Sequence, residues 1–416
     1  MAGAVVLGGD EKELGRGKLV CVTGGAGYIA SWLIMRLLQR GYSVRATTRS
    51  GQQFHEETKH IESLEGAKER LEIVDADLSK PGSYDAAVDG CIGVFHVAHP
   101  TNFSEPDPEA SNRDQEPILI SSARIDVLIY TLFWWKSKLT KMSPACGRVG
   151  RQNQVIKPAV EGTVSILEGC LKSKTVRRVV ITSSASAVAF SGRPDLQVMD
   201  ESLWSDVDYC RKLDVPGASY FISKTLAEKA ALDFSEAHPP LEVVTLLPSS
   251  VLGPFLTPNF PPSFLTTMAL VLGDVEHCKL LKQMQYVHID DLASAYIFLF
   301  ECPEAKGRYI CSSHDATIHQ LAALLSTKFP RIANFSLLPT MRQRLDGIPC
   351  DQESKKGLKD HFLMIFIQGL EEEKPVHLSS QKLLSLGFKF KYGLEEMYEG
   401  AIKCCQSKGF LKTDEE

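Results

Sequence analysis

No stretch of the 416-residue chain approaches the roughly 20 consecutive apolar residues that a membrane-spanning helix requires. The longest run, VLIYTLFWW at Val127–Trp135, is about half that length. No CxxC pair and no Cys/His ligand cluster occurs among the eleven cysteines, so neither a zinc site nor any other metal centre is expected. The cysteines are odd in number and sit mostly in apolar stretches such as LVCVTG and GRYICSS, which points to buried free thiols in a reducing compartment. Positive charge is not in excess either. A net charge of -5 gives no general attraction to phosphate backbones or acidic membrane surfaces, and nucleic acid is excluded as an expected partner. The amino end lacks the basic start and apolar run of a secretory signal and is no Arg-rich transit peptide. Residues 1–17 therefore read as a flexible tail and the location as cytoplasmic. No internal repeat or low-complexity tract is found.

With 44% hydrophobic residues the chain can bury a large core. From Lys18 onward, short β-branched runs alternate with longer segments of helical period, the pattern of βαβ units around a parallel sheet. The runs KLVCVTG, YSVRATTR, LEIVDADL, IGVFHVAH, RRVVITSS and LEVVTLLP are candidate strands. GYIASWLIMRLLQRG, PGSYDAAVDG, PAVEGTVSILEGCLKS and YFISKTLAEKAALDFSEAH are candidate helices. The expected fold class is α/β, a doubly wound parallel sheet of Rossmann type over 18–250, with 251–416 mainly a smaller substrate-binding lobe. Two segments break the rhythm, 110–154 and 341–368. Each would be an unusually long connection in a compact domain and reads as an insertion.

TGGAGYIASW, Thr23 to Trp32, follows the first strand and opens a helix, the setting that lifts a glycine motif above chance. Gly24 permits the tight turn and Gly27 lets the backbone approach a pyrophosphate, while the helix amino end offers unpaired N–H groups. The third position, Ala30, needs only to be small for close packing of helix on strand. The second strand carries Arg45 and Arg49 and no acidic residue, which favours a 2′-phosphate and hence NADP(H), with Arg49 the better placed of the two. At the end of the third strand Asp77 and Leu78 are positioned to meet an adenine, or Asp77 serves a turn.

YFISK puts Tyr220 and Lys224 on one helix face, where an ammonium can lower the phenol's pKa for acid/base work. About 36 residues earlier, ITSSAS presents Ser183 and Ser184 at the same sheet edge as the glycine turn. A serine there can hydrogen-bond a carbonyl; it is not a nucleophile, since no GxSxG elbow is present. His96 and His99 close the fourth strand, the first expected to be packed and the second exposed or lining the cleft.

With these three motifs in this order, the chain resembles the extended short-chain dehydrogenase/reductases, and within them the plant dihydroflavonol, vestitone and anthocyanidin reductase group. GVFHVAHP, DESLWSDVDYCR, YVHIDDLASAYIFLFE and GFKFKY extend the resemblance from Lys18 to Leu411, apart from the two odd segments. It implies Ser184, Tyr220 and Lys224 as the catalytic trio, with Lys224 also on the nicotinamide ribose. It likewise implies NADP(H) contacts from Gly24, Gly27, Tyr28, Ile29, Arg49, Asp77, Leu78, Val97, Ala98, Pro248 and Val251. The implied reaction is hydride transfer to the ketone of a flavonoid or related phenolic substrate; sugar-nucleotide epimerase or dehydratase chemistry and a catalytically silent NADP-binding protein are the alternatives. Ala189 stands where dihydroflavonol reductases carry an Asn five residues after the serine, and SSASAVAFSG looks closer to vestitone reductase. Glu56 replaces a lysine that assists the 2′-phosphate arginine. The sequence leaves the oligomeric state open, a monomer included.

Overall fold

Wherever the alternation marks a β-branched run, a strand forms. The computed structural model describes residues 15–49, 54–100, 152–193, 196–212, 217–278, 281–329 and 376–411. In chain order the strands are β1 (Leu19–Val22), β2 (Ser43–Thr48), β3 (Leu71–Asp75), β4 (Gly93–His96), β5 (Arg178–Thr182) and β6 (Val198–Met199). They continue as β7 (Glu242–Pro248), β8 (Ser250–Leu252), β9 (Gln283–His288), β10 (Gly307–Cys311), β11 (His314–Thr317) and β12 (His377–Leu378). Seven of them make one parallel sheet in the order β10-β7-β5-β4-β1-β2-β3. The order reverses between β1 and β4, and a doubly wound sheet binds its ligand in the crevice at that switch point.

The helix Tyr28–Gln39 buries Ala30, Leu33, Ile34, Leu37 and Leu38 in the core that backs β1 and β2. Ala30 is 1% exposed, as the packing role of a small third residue requires. The helices Gln152–Ser173 and Ala218–Ala237 pack on each other and carry two of the remaining expected helical runs, while PGSYDAAVDG forms only the short helix Asp85–Val88. Cys21, Cys91 and Cys170 are buried free thiols in a second core with Val94, Ile166 and Val179.

The segment after residue 250, expected to be mainly the lobe, also supplies elements of the sheet. After β9 the chain returns to the sheet: the helix Ile289–Glu301 packs on the helix Tyr28–Gln39, and β10 becomes the seventh strand beside β7. The β-branched and aromatic run RYIC is buried along its length, so it pairs where an unpaired sheet edge remains. The lobe is built instead on β11-β9-β8 and β12-β6, with Leu252, Phe264, Tyr286, Leu321 and Tyr398 in its core. Gly15–Gly17, expected as the end of the tail, form a turn anchored by the Gly15 N–H on the Arg40 carbonyl. Gln152–Gln154, expected as the end of the first insertion, begin the helix Gln152–Ser173. Residues 101–151 and 341–368, the bulk of both expected insertions, lie outside the described residues.

Candidate active site

Gly24 has φ +70°, and a Cβ there would stand 3.1 Å from the Ala98 Cα, so the turn accepts only glycine without strain. Gly27 caps the helix and donates its N–H to the Gly24 carbonyl at 3.0 Å. Two neighbours missed by the motif spacing hold this turn in place. Gly25 donates to the Thr47 carbonyl at 2.8 Å, and a Cβ on it would meet the Ala46 Cβ at 2.9 Å. The buried Thr23 hydroxyl accepts from the Val97 and Ala98 N–H groups at 3.0 and 2.9 Å, tying the end of β4 to the turn. Neither role is visible before β4 and β2 are placed beside β1.

The helix that follows is bolted from behind. The Asp290 carboxylate accepts from the Trp32 indole at 2.9 Å and pairs with the Arg36 guanidinium at 3.2 Å. The HIDD stretch of the sequence is thus a brace for the glycine turn, and His288 caps its helix by accepting from the Asp290 N–H.

A cleft of about 930 Å³ opens at the carboxyl ends of the strands. Gly24, Gly27, Tyr28, Ile29, Arg49, Asp77, Leu78, Val97, Ala98, Pro248 and Val251 line it, and Ser184, Tyr220 and Lys224 lie on the same surface. Glu57 lines it where the sequence pointed to Glu56, which is exposed. Ala189 stays out of it and packs near Phe190 and Phe221. Pro261, Pro262 and Ser263 close the cleft from the lobe, a contribution that sequence reading missed because Pro-rich loops carry no periodic signal.

Several open choices resolve here. Arg45 is structural: it pairs with Glu72 at 2.8 Å and donates to the carbonyls of Ala86, Ala87 and Asp89. Arg49 is exposed at the cleft rim. Asp77 does form a turn, accepting from the Ser79 N–H and hydroxyl at 2.9 and 2.8 Å, and these bonds pull its carboxyl below the usual range. Both serines follow the end of β5 and line the cleft, but their hydroxyls take different partners. Ser183 turns inward and donates to the buried Glu228 at 2.7 Å, whereas the Ser184 hydroxyl bonds the Tyr220 phenol.

Glu228 also accepts from Thr245 at 2.6 Å and pairs with Arg308 of β10 at 2.9 Å. Arg308 in turn stacks on Trp204 and holds the Glu201 carbonyl. One helical turn before Glu228, the buried Lys224 ammonium donates to the Thr182 carbonyl at 3.0 Å, and its Nζ lies 5.9 Å from the centre of the Tyr220 ring. Burial lowers Lys224 to about 7, opposed by the Glu228 carboxylate. The phenol of Tyr220 is raised by burial, with the Ser184 bond opposing. The expected lowering of Tyr220 by Lys224 is therefore not found, because desolvation outweighs an ammonium aimed at Thr182.

His96 is packed as expected, bonded to Thr23 at 2.9 Å and Thr163 at 3.2 Å, and burial lowers it to about 3. His99 lines the cleft. Its Nε2 meets the Ser223 hydroxyl at 3.1 Å and its ring sits edge-to-face on Tyr220 at 5.3 Å. Among the described residues no His/Cys/Asp/Glu group has metal-binding geometry, and no helix is long and apolar enough to cross a membrane.

A dinucleotide fits what these residues offer. The Cβ-free cradle at Gly24 admits a pyrophosphate against the backbone, and the buried hydroxyl of the cleft-lining Thr48 has no partner among the described residues.

Comparison with known proteins agrees with this geometry. The NAD dependent epimerase/dehydratase family matches residues 20–114 and 147–311. Noscapine synthase SDR1 of Papaver somniferum is 44% identical over 406 residues, covering 96% of each chain. Dihydroflavonol 4-reductase of Hordeum vulgare is 42% identical over 392 residues, 94% of this chain and 90% of that one. The crystal structure of vestitone reductase from alfalfa (Medicago sativa) superposes with a TM-score of 0.67 at 34% identity, over 94% of this chain and 99% of its own.

Proposed function

Since the chain belongs to the NAD dependent epimerase/dehydratase family, in the dihydroflavonol reductase and vestitone reductase group, we propose that it reduces the ketone of a flavonoid or related phenolic substrate. It is an NADP(H)-dependent oxidoreductase, and the reading makes it a cytoplasmic one. The observation that carries the substrate step is the meeting of Ser184, Tyr220 and Lys224 with the glycine cradle on one cleft surface.

NADPH, held by Gly24, Gly27, Arg49 and the residues at the ends of β3, β4 and β7, supplies the hydride when bound. Ser184 accepts the Ser186 N–H at 3.1 Å, and the proton that it shares with the Tyr220 phenol is the one it turns toward a substrate's carbonyl oxygen. Tyr220, raised by burial, is a neutral phenol at physiological pH, the form that can hand a proton to the developing alkoxide. Lys224 stands behind it, fixed on Thr182, and in its charged form favours the phenolate left after that transfer.

Titration of the purified chain with NADPH and NADH, followed by a panel of flavanones, dihydroflavonols and isoflavanones, tests the reading. The poppy relative is named for noscapine rather than for a flavonoid, so the panel extends to other phenolic ketones. Oxidation of NADPH by at least one of them is expected. Tight binding of NADPH with no oxidation by any would favour the silent NADP-binding protein instead.

A further inference from the structure

Tyr220, Lys224 and Glu228 recur at every fourth residue of the helix Ala218–Ala237 and so share one face. Each reaches one of three consecutive residues at the end of β5. The Tyr220 phenol bonds the Ser184 hydroxyl, the Lys224 ammonium donates to the Thr182 carbonyl at 3.0 Å, and the Glu228 carboxylate accepts from the Ser183 hydroxyl at 2.7 Å. The reduction chemistry uses the first two of these rungs and leaves the third without a task.

The third is the most heavily built. The Glu228 side chain is fully buried, and its four hydrogen bonds all come from donors: Ser183 after β5, Thr245 of β7, and the Nε and Nη2 of Arg308 in β10 at 2.9 and 3.3 Å. Four donors, one group a guanidinium, match the acceptor sites of an ionised carboxylate. Lys224, one helical turn away and bonded to Thr182, therefore feels this acid through its charge, which opposes the lowering of the ammonium by burial. The other groups around Lys224 carry no charge that could take its place. His96 and His99 are kept neutral by burial, as are Tyr220 and the Tyr296 that donates to the Thr182 hydroxyl. The charged residues of two helices packed beside it, Lys157, Glu161, Glu168 and Lys172 on Gln152–Ser173 and Asp208, Arg211 and Lys212 on Val207–Lys212, are exposed and screened by water.

We propose that Glu228 is a positioning residue of the active site: through Ser183 it fixes the strand end that presents Ser184, and through its charge it supports the Lys224 ammonium. The inference deepens the reductase reading above and rests on it.

The first measurement needs no substrate. In the full chain labelled with ¹⁵N-lysine, the Lys224 signal is identified by its loss in Lys224→Arg and followed against pH. Expected is a midpoint lower than in wild type by about one pH unit or more in Glu228→Gln, whereas Glu228→Asp, which keeps the charge, stays within about half a unit of wild type. If Glu228→Gln does not fold, Glu228→Gln combined with Arg308→Met takes its place, and the midpoint should again be lower, since Glu228 is the charge that opposes burial at Lys224. The second measurement uses Ser183→Ala, which removes the third rung and keeps every charge. Its kcat for a reduced ketone should fall about tenfold while the descending limb of its pH profile stays at the wild-type position. A Lys224 midpoint unchanged by loss of the Glu228 charge, or full turnover in Ser183→Ala, overturns the proposal. Absence of NADPH oxidation by every ketone overturns the reductase reading instead, and the lysine titration still decides on Glu228.

Discussion

The Lys224 ammonium donates to the backbone carbonyl of Thr182 at 3.0 Å, joining the helix that carries Tyr220 to the end of the strand that leads into Ser184. The two proton-handling groups are therefore set by one bond between secondary-structure elements rather than by loops. Rigid placement of this kind is what a positioned acid needs.

Removing only the phenol hydroxyl isolates its role. Tyr220→Phe should lower turnover by about 10²- to 10⁴-fold. NADPH affinity should stay within about threefold, since the ring and its packing survive. Stopped-flow single turnovers beside fluorescence titration of NADPH check both halves; near-normal turnover removes Tyr220 from its role.

Lys224 titrates at about 7, so its charged fraction falls through the neutral range. The kcat/KM for reduction should be level below pH 7 and fall about tenfold per unit above it. In Lys224→Arg the guanidinium stays charged and the descending limb should disappear from this range, whatever the absolute rate. A limb that is the same in both proteins assigns the pH dependence to another group.

Arg49 stands exposed at the rim with no acidic residue on β2 beside it. Arg49→Leu should weaken NADPH binding by roughly 10- to 100-fold, the worth of a lost charge-assisted contact, and leave NADH binding nearly unchanged. Parallel isothermal titrations of the two nucleotides read the ratio directly.

Glu228 and Arg308 form a buried pair whose members also hold Ser183, Thr245 and the Glu201 carbonyl. Glu228→Gln strands the guanidinium and should destabilise the chain by about 3–5 kcal/mol in urea unfolding. The double variant Glu228→Gln, Arg308→Met should recover a large part of that loss, because no uncompensated charge remains.

His96 is lowered from 6.5 to about 3, so between those values the unfolded chain binds a proton that the folded chain does not. Its stability contribution is complete above pH 6.5 and is lost as the pH falls below it. Thermal midpoints should drop steadily from pH 6.5 to 4.5, and His96→Gln should show a shallower slope with a lower midpoint at pH 7.

The strands β1–β5 and β7 and the helices Tyr28–Gln39, Gln152–Ser173 and Ala218–Ala237 are written in the sequence because alternation and helical period depend only on neighbours in the chain, while the helix Phe54–Glu62 was not expected. The cradle glycines and the Tyr220/Lys224 pair are legible for the same reason. The resemblance alone pointed to Ser184, whereas the bond that occupies Ser183 needs Glu228, 45 residues on, and dismissing Arg45 required Glu72 and the carbonyls after it. The support given by Thr23 and Gly25 exists only between strands. β10 was not singled out as a strand of the sheet, because its pairing is set by the open edge of β7 and not by its own neighbours in the chain. The direction of the Tyr220 shift was misjudged because burial, unlike spacing, cannot be read from a helix face.

The late arrival of β10 also governs how the molecule can be made. The sheet's seventh strand is synthesised only after β8, β9 and the helix Ile289–Glu301, so a nascent chain that ends before residue 311 leaves the edge of β7 bare and Glu228 without Arg308. The glycine turn waits in the same way for Asp290, 258 residues beyond Trp32. Folding during synthesis must therefore hold an unfinished nucleotide sheet open through the whole passage of the central chain, the stage at which an unpaired strand edge is most exposed to aggregation.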